Sequence, residues 1–266
     1  MRQTDNYPSL FDSVPVTETA VHAVQDLEKP IAEKTPNAES KYETEDRHRK
    51  ELCKKFEALN YMVRGNLSDV FDHFLEFTIN GWLVNGQGID GWRYNEEETQ
   101  AFHSFYNEWI RAMGDILKVK PWHDFLGYMY EMLVAGLRRK QGNGQFFTPM
   151  HVCDLMANVL CPAEESAQEK AIDPCCGSGR LMLAAHAVNP EAIVDAKDLD
   201  RTCCMMTVCN FLIHGCRGTV SWGNSLDPTD IRETWAVNPF LGDPSTPLGL
   251  VPHIIHNPHL QQKEAC

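Results

Sequence analysis

The chain has 266 residues, 43% of them hydrophobic, which is enough for one large core or two modest ones. It has no apolar run long enough to span a membrane, and MRQTDNYPSLFDS lacks the basic start and apolar stretch of a secretory signal, so a cytoplasmic protein is expected. The net charge of −13 divides into −6 over residues 1–46, zero over 47–140 and −7 over 141–266. A C-terminal half this acidic is poorly suited to grip nucleic acid unaided, because that binding rests on cations against phosphates.

Residues 1–46 are polar, acidic and interrupted by prolines, and read as a loosely ordered arm with a short helix around TETAVHAVQDLE. Residues 47–142 read as a helical domain. LSDVFDHFLEFTINGWL sets Val70, Phe71, Phe74, Leu75 and Ile79 on one stripe. FHSFYNEWIRAMGDIL repeats the pattern with Phe102, Phe105, Trp109, Ile110 and Met113. These aromatic stripes read as core, and the basic clusters RHRKELCKK and RRK as solvated helix faces. A third helix, HDFLGYMYEMLVAGLRRK, starts after Pro121 and ends in cations that suit its negative pole.

After Gly142 and Gly144 the order becomes strand AIDP, helix LMLAAHAV, strand AIVDAKD, helix CCMMTVCNFLIHG and strand GTVSWG. This alternation predicts an α/β region over 143–245 with a parallel sheet, followed by a tail over 246–266. Ligands of such sheets bind beyond the carboxyl ends of the strands. The first strand ends in Asp173-Pro174-Cys175-Cys176-Gly177-Ser178-Gly179. A dinucleotide loop needs a third glycine where Met182 stands, and no phosphate-loop lysine follows. What remains is a carboxylate at a strand tip and a turn of small residues. That suits a ligand with an amino group and a sugar, the shape of S-adenosylmethionine. Asp198 ends the second strand, 19 residues beyond Gly179, where an acid can accept from both ribose hydroxyls. Asn224 follows the third strand, within reach of an adenine edge. The ten cysteines contain no CxxC and read as reduced thiols.

GNGQFFTPMHVCDLM, IDPCCGSGRLMLAA, AKDLDRTCCMMTVCNFLIHG and WGNSLDP together resemble the N6-adenine DNA methyltransferase family. Within it they look most like the modification subunits of type I restriction-modification systems, and HDFLGYMYEMLVAG resembles the helix those subunits place before GQFFTP. The resemblance covers roughly residues 122 to 227. It implies a Rossmann-like S-adenosylmethionine-dependent methyltransferase fold, here with an incomplete sheet behind a helical N-terminal domain. It implies that Phe147 and Thr148 contact the methionine portion, with Pro149 shaping the turn. Asp173, Cys175, Gly177, Ser178 and Gly179 would form the cofactor loop, Asp198 would hold the ribose and Asn224 the adenine. DNA would be reached through a specificity subunit or another partner chain, in a hetero-oligomer.

The family reads Asn/Asp-Pro-Pro-aromatic after a fourth strand. The amide and the next carbonyl accept the two hydrogens of the adenine amine, and the aromatic ring stacks on the flipped base. Here TWAVNPFLGDP offers Asn238, Pro239 and Phe240 with one proline missing. This segment is either a degenerate catalytic loop or a plain surface turn. With only 26 residues after Phe240, about four strands and an unfilled sheet edge are expected. His253, His256 and His259 recur every third residue, but Pro252 and Pro258 interrupt any helix that would present them, so no metal site is expected. Two functional readings stand: the adenine-specific methyltransferase, and an impaired or split relative serving as a cofactor-binding or interaction module.

Overall fold

The computed structural model describes residues 41–84, 88–89, 91–135, 147–160, 170–227 and 229–258. The arm before residue 41, the RRK cluster at 138–140 and His259 lie outside the described residues. Three helices come first: α1 (Lys41–Val63), α2 (Leu67–Gly81) and α3 (Glu96–Leu117). Helix α1 begins before the expected arm boundary at 46 and runs through it. Asn66 caps α2 by accepting the Ser68 N–H, and Asn95 and Glu98 form a reciprocal capping box at α3. The predicted stripes turn inward: Phe74 meets Phe105 with ring centroids 4.8 Å apart and Trp109 at 5.8 Å, while Phe56 of α1 closes the cluster 5.2 Å from Phe105. The expected third helix is a short α4 (Phe125–Met129), capped by Asp124, that continues as a π-helical turn over Tyr130–Val134.

The remaining elements are α5 (Met150–Leu160), β1 (Lys170–Asp173), α6 (Arg180–Val188), β2 (Ile193–Asp198), α7 (Arg201–His214), β3 (Arg217–Gly223), β4 (Ile231–Val237) and β5 (Ile254–Pro258). They build one five-stranded sheet in the order β1-β2-β3-β4-β5. Strands β1, β2 and β3 are parallel, as the alternating pattern predicted. Helices α6 and α7 pack against each other and against these strands. The burial pattern agrees: Val194, Ala196, Val220, Trp235, Val237 and Ile254 are buried, while Ile172 on the other face is 65% exposed.

Two expectations are corrected here. Strand β4 runs antiparallel to β3, because the seven residues between Gly223 and Ile231 are too few for a crossover and allow only a hairpin-like return. The expected tail over 246–266 contains a fifth strand, β5, antiparallel to β4. Pro258 closes β5 and Pro252 precedes it, positions an outer strand tolerates. Trp235 and His256 stack across the β4–β5 pair at 5.5 Å. The backbone after α2 then seals β5, with Val84 N donating to Ile254 O and Ile254 N to Trp82 O, both at 2.9 Å. Helix α7 lies between the sheet and α2, and so its run from Thr202 to Leu212 is buried on every side. Buried side chains of the helices and of the sheet form one continuous core. No described helix is long and apolar enough to cross a membrane.

Candidate functional site

The loop after β1 is shaped by its own polar groups. Asp173 Oδ1 accepts the Cys175 N–H at 3.0 Å, which bends the chain away from the strand. Cys176 N donates to Lys197 O at 3.0 Å, tying the loop to β2. Gly177 and Gly179 both take positive φ, +56° and +85°, and α6 begins at once. A Cβ on Gly177 would stand 2.9 Å from the Phe147 ring, so the loop and Phe147 are in direct contact. Thr148 and Pro149 follow on the surface, and Pro149 O opens α5 by accepting from Val152 N at 2.9 Å. Ser178 is buried and Cys175 is exposed.

Asp198 stands at the tip of β2 with each oxygen engaged: Oδ2 accepts Gly177 N and Oδ1 accepts Asp200 N, both at 2.9 Å. Burial raises the pKa of Asp198, and these N–H groups work against that rise; burial likewise raises Asp173, opposed by one N–H. At the tip of β3, the Asn224 carbonyl accepts from Lys197 Nζ and its Oδ1 from Leu226 N, both at 3.0 Å. Ser225 Oγ reaches across to Pro174 O, so the turn after β3 touches the loop after β1. Asp173, Asp198 and Asn224 are therefore gathered at one end of the sheet around the Gly177–Gly179 turn.

Sequence reasoning missed the support beneath this loop. Arg180, the first residue of α6, is buried and donates Nε to Asp124 Oδ2 at 2.6 Å and Nη2 to Glu131 Oε2 at 2.8 Å. Burial opposes its charge, but Asp124 and Glu131 more than offset that and hold it cationic. The signal was present in the sequence: an arginine directly after a glycine turn, opening an apolar helix, must find an acid when it is buried.

The expected catalytic trio does not join the cofactor residues. Because β4 is antiparallel, its end lies opposite the start of β3, with Val237 paired to Gly218, whereas Asp198 pairs with Trp222 at the other end. Asn238 is fully buried there at φ +51°. Its Nδ2 donates to Cys216 O at 3.0 Å and Phe211 O at 3.3 Å, and its Oδ1 accepts His253 N at 3.0 Å. Pro239 leads into a surface turn, and Phe240 stacks on His253 at 5.8 Å. Asn238 is thus buried beneath the end of α7, and Pro239 and Phe240 form an exposed turn beyond it. Among the described residues no group of His, Cys, Asp and Glu could hold a metal ion.

The family profile described as N-6 DNA Methylase matches residues 122–261, more than half of the chain. Among solved structures, the methyltransferase subunit of a type I restriction-modification system from Streptococcus thermophilus is similar over 68% of this chain and 40% of that one, with 18% identity and a TM-score of 0.36. The match thus covers less than half the length of that subunit.

Proposed function

The chain belongs to the N-6 DNA methylase family, and from this we propose that it binds S-adenosylmethionine at the ends of β1, β2 and β3. The reaction served is methyl transfer to the N6 amine of adenine in DNA. The observation that carries this reading is the convergence of Asp173, Asp198 and Asn224 on a glycine turn packed under Phe147.

The donor set fits the ligand. When bound, S-adenosylmethionine supplies a methyl group on a cationic sulfonium. Asp173 offers a carboxylate to the ligand's amino group. Asp198 has lone pairs left after the Gly177 and Asp200 N–H groups, and with them accepts the ribose hydroxyls. Asn224 meets the adenine edge, and Phe147 and Thr148 flank the methionine end. Gly177 and Gly179 let the ligand approach the backbone, with Cys175 and Ser178 completing the turn.

The placement of Asn238 favours a second reading beside this one. Its amide is consumed by Phe211, Cys216 and His253 at the far end of the sheet. The group that accepts the amine hydrogens then comes from outside the described residues or from a partner, and this chain is the cofactor-binding part of a split enzyme or an interaction module. The acidic balance of residues 141–266 agrees with DNA contacts made by a partner such as a specificity subunit.

Calorimetric titration with S-adenosylmethionine tests the cofactor reading, with Asp198→Ala as control. Binding by the wild type that is lost in the variant supports it; no binding by folded wild type refutes it. Methyl transfer to unmethylated DNA in the presence of a partner then decides between the readings. Transfer that survives Asn238→Ala assigns the amine chemistry elsewhere.

A further inference from the structure

Asp124 precedes α4, 54 residues upstream of Ser178, and its carboxylate is fully buried. Oδ1 accepts Gly127 N at 2.7 Å and Asn210 Nδ2 at 2.8 Å. Oδ2 accepts Ser178 Oγ and Arg180 Nε, both at 2.6 Å. Every lone-pair position is used, so Asp124 has no capacity for a ligand and acts only through what it holds. It holds the descending half of the glycine turn directly. Through Arg180 it also holds the opposite wall: Nη1 donates to Thr148 O at 3.3 Å, and the guanidinium lies 5.2 Å from the Phe147 ring centre. Asn210 adds a second tie by donating to Ser178 O at 2.8 Å.

We infer that Asp124 is a positioning residue for the methionine end of the cofactor, an inference that rests on the S-adenosylmethionine reading above. A turn with two glycines at positive φ has little stiffness of its own, and ordering it on binding costs affinity. One carboxylate on the helical part of the molecule orders both walls beforehand. The adenine contact at Asn224 does not pass through it, and the ribose carboxylate of Asp198 meets the turn only at the Gly177 N–H.

That division gives the test. The affinities of S-adenosylmethionine and of 5′-methylthioadenosine, which keeps the adenosine and sulfur but lacks the amino-acid end, are measured for wild type, Asp124→Asn and Ser178→Ala. Calorimetry reads the first ligand, and ligand-observed NMR reads the second into the millimolar range. Loss of a hydrogen bond to a charged group predicts about tenfold weaker S-adenosylmethionine binding in Asp124→Asn and a few-fold loss in Ser178→Ala. Methylthioadenosine is expected to change by less than about twofold, since Asp124 reaches its contacts only indirectly, through the Gly177–Asp198 bond. Equal losses on both ligands mean a merely structural role and overturn the inference, as does unchanged binding of S-adenosylmethionine. If Asp124→Asn does not fold, Ser178→Ala decides alone, because it removes one hydroxyl and leaves the ion pair. Wild type that binds neither ligand overturns the cofactor reading and this inference together; wild type that binds both, with variants that do not discriminate, overturns the inference only.

Discussion

Asp173 is held at a strand tip where burial favours its neutral form and a single backbone N–H opposes that preference. Its pKa in the folded protein is raised, so the folded state binds this proton more tightly than the unfolded chain. The stability it contributes is full below the ordinary value of 3.8 and is lost as pH rises through the folded pKa. Asp173→Asn keeps the oxygen that accepts from Cys175 and removes the desolvated charge. The free protein should therefore melt at a higher temperature than wild type at neutral pH, and the difference should shrink as pH falls below the carboxylate range. Affinity for S-adenosylmethionine should fall in the same variant, because a cationic amino group no longer meets an anion. A lower melting temperature at neutral pH, measured without ligand, would contradict the assignment of burial as the dominant effect. Gly127 makes a second residue-scale case. A Cβ there would stand 1.9 Å from Asp124 Oδ2 and 2.5 Å from Ser178 Oγ, so Gly127→Ala must push the buried carboxylate off its partners. A loss of about 3 kcal/mol is expected in urea titration, the scale of breaking a buried ion pair.

At the scale of elements, the turn after β4 is governed by Asn238. Its amide donates to the Cys216 carbonyl before β3 and adds a second bond to the Phe211 carbonyl, which already accepts the Cys216 N–H at 3.0 Å, and its φ of +51° is one that Asn tolerates better than most side chains. Asn238→Ala takes the amide from the Cys216 carbonyl and the His253 N–H in a buried place, while the Phe211 carbonyl keeps the Cys216 N–H, and should cost about 2 kcal/mol. Asn238→Gly relieves only the backbone share, and the difference between the variants measures it. Cofactor affinity of the folded fraction should stay at the wild-type value in both. Methyl transfer abolished by Asn238→Ala in fully folded protein would instead return this residue to the chemistry. The same turn shows what was legible in advance. Periodicity identified the stripes of α2 and α3, because helices with one buried face repeat their apolar residues at the helical period. The strand-tip residues Asp173, Asp198 and Asn224 were legible because a parallel βαβ layout puts every strand tip at one end. The direction of β4 is set by the shortness of the connection before it, which no residue within the strand itself marks. Strand β5 was obscured by its flanking prolines, and the Asp124–Arg180 pair by its long separation in sequence, since no local pattern marks a partner so far away.

At the scale of the whole molecule, the helical part and the sheet are joined too closely to unfold separately. Arg201 at the start of α7 bridges Glu76 of α2 and Glu233 of β4, both at 2.6 Å, and Thr202 Oγ1 donates to Asp72 of α2 at 2.8 Å. The strand β5 is paired on one side with β4 and sealed on the other by the chain leaving α2. Beneath these ties the buried side chains run without a break from Phe56 to Ile254. Such continuity predicts one cooperative transition. Trp109 reports from the helices and Trp235 from the sheet, and both are almost wholly buried. Single-tryptophan variants retaining one or the other should show the same urea midpoint, coincident with the loss of circular dichroism. Arg201→Ala should lower both midpoints together, by about 1–2 kcal/mol for a partly exposed bridge. The pH dependence follows the same junction. Burial raises Glu233, but His256 and Arg201 outweigh it and bring the carboxyl down to about 2. Its stabilising share is thus present above the ordinary value of 4.5 and is lost as pH falls toward 2, and Glu233→Gln should remove that part of the acid sensitivity. Midpoints that separate between the two tryptophans would mean that helices and sheet hold themselves up independently, and the cofactor loop would then lose its anchor at Asp124 before the sheet that carries it unfolds.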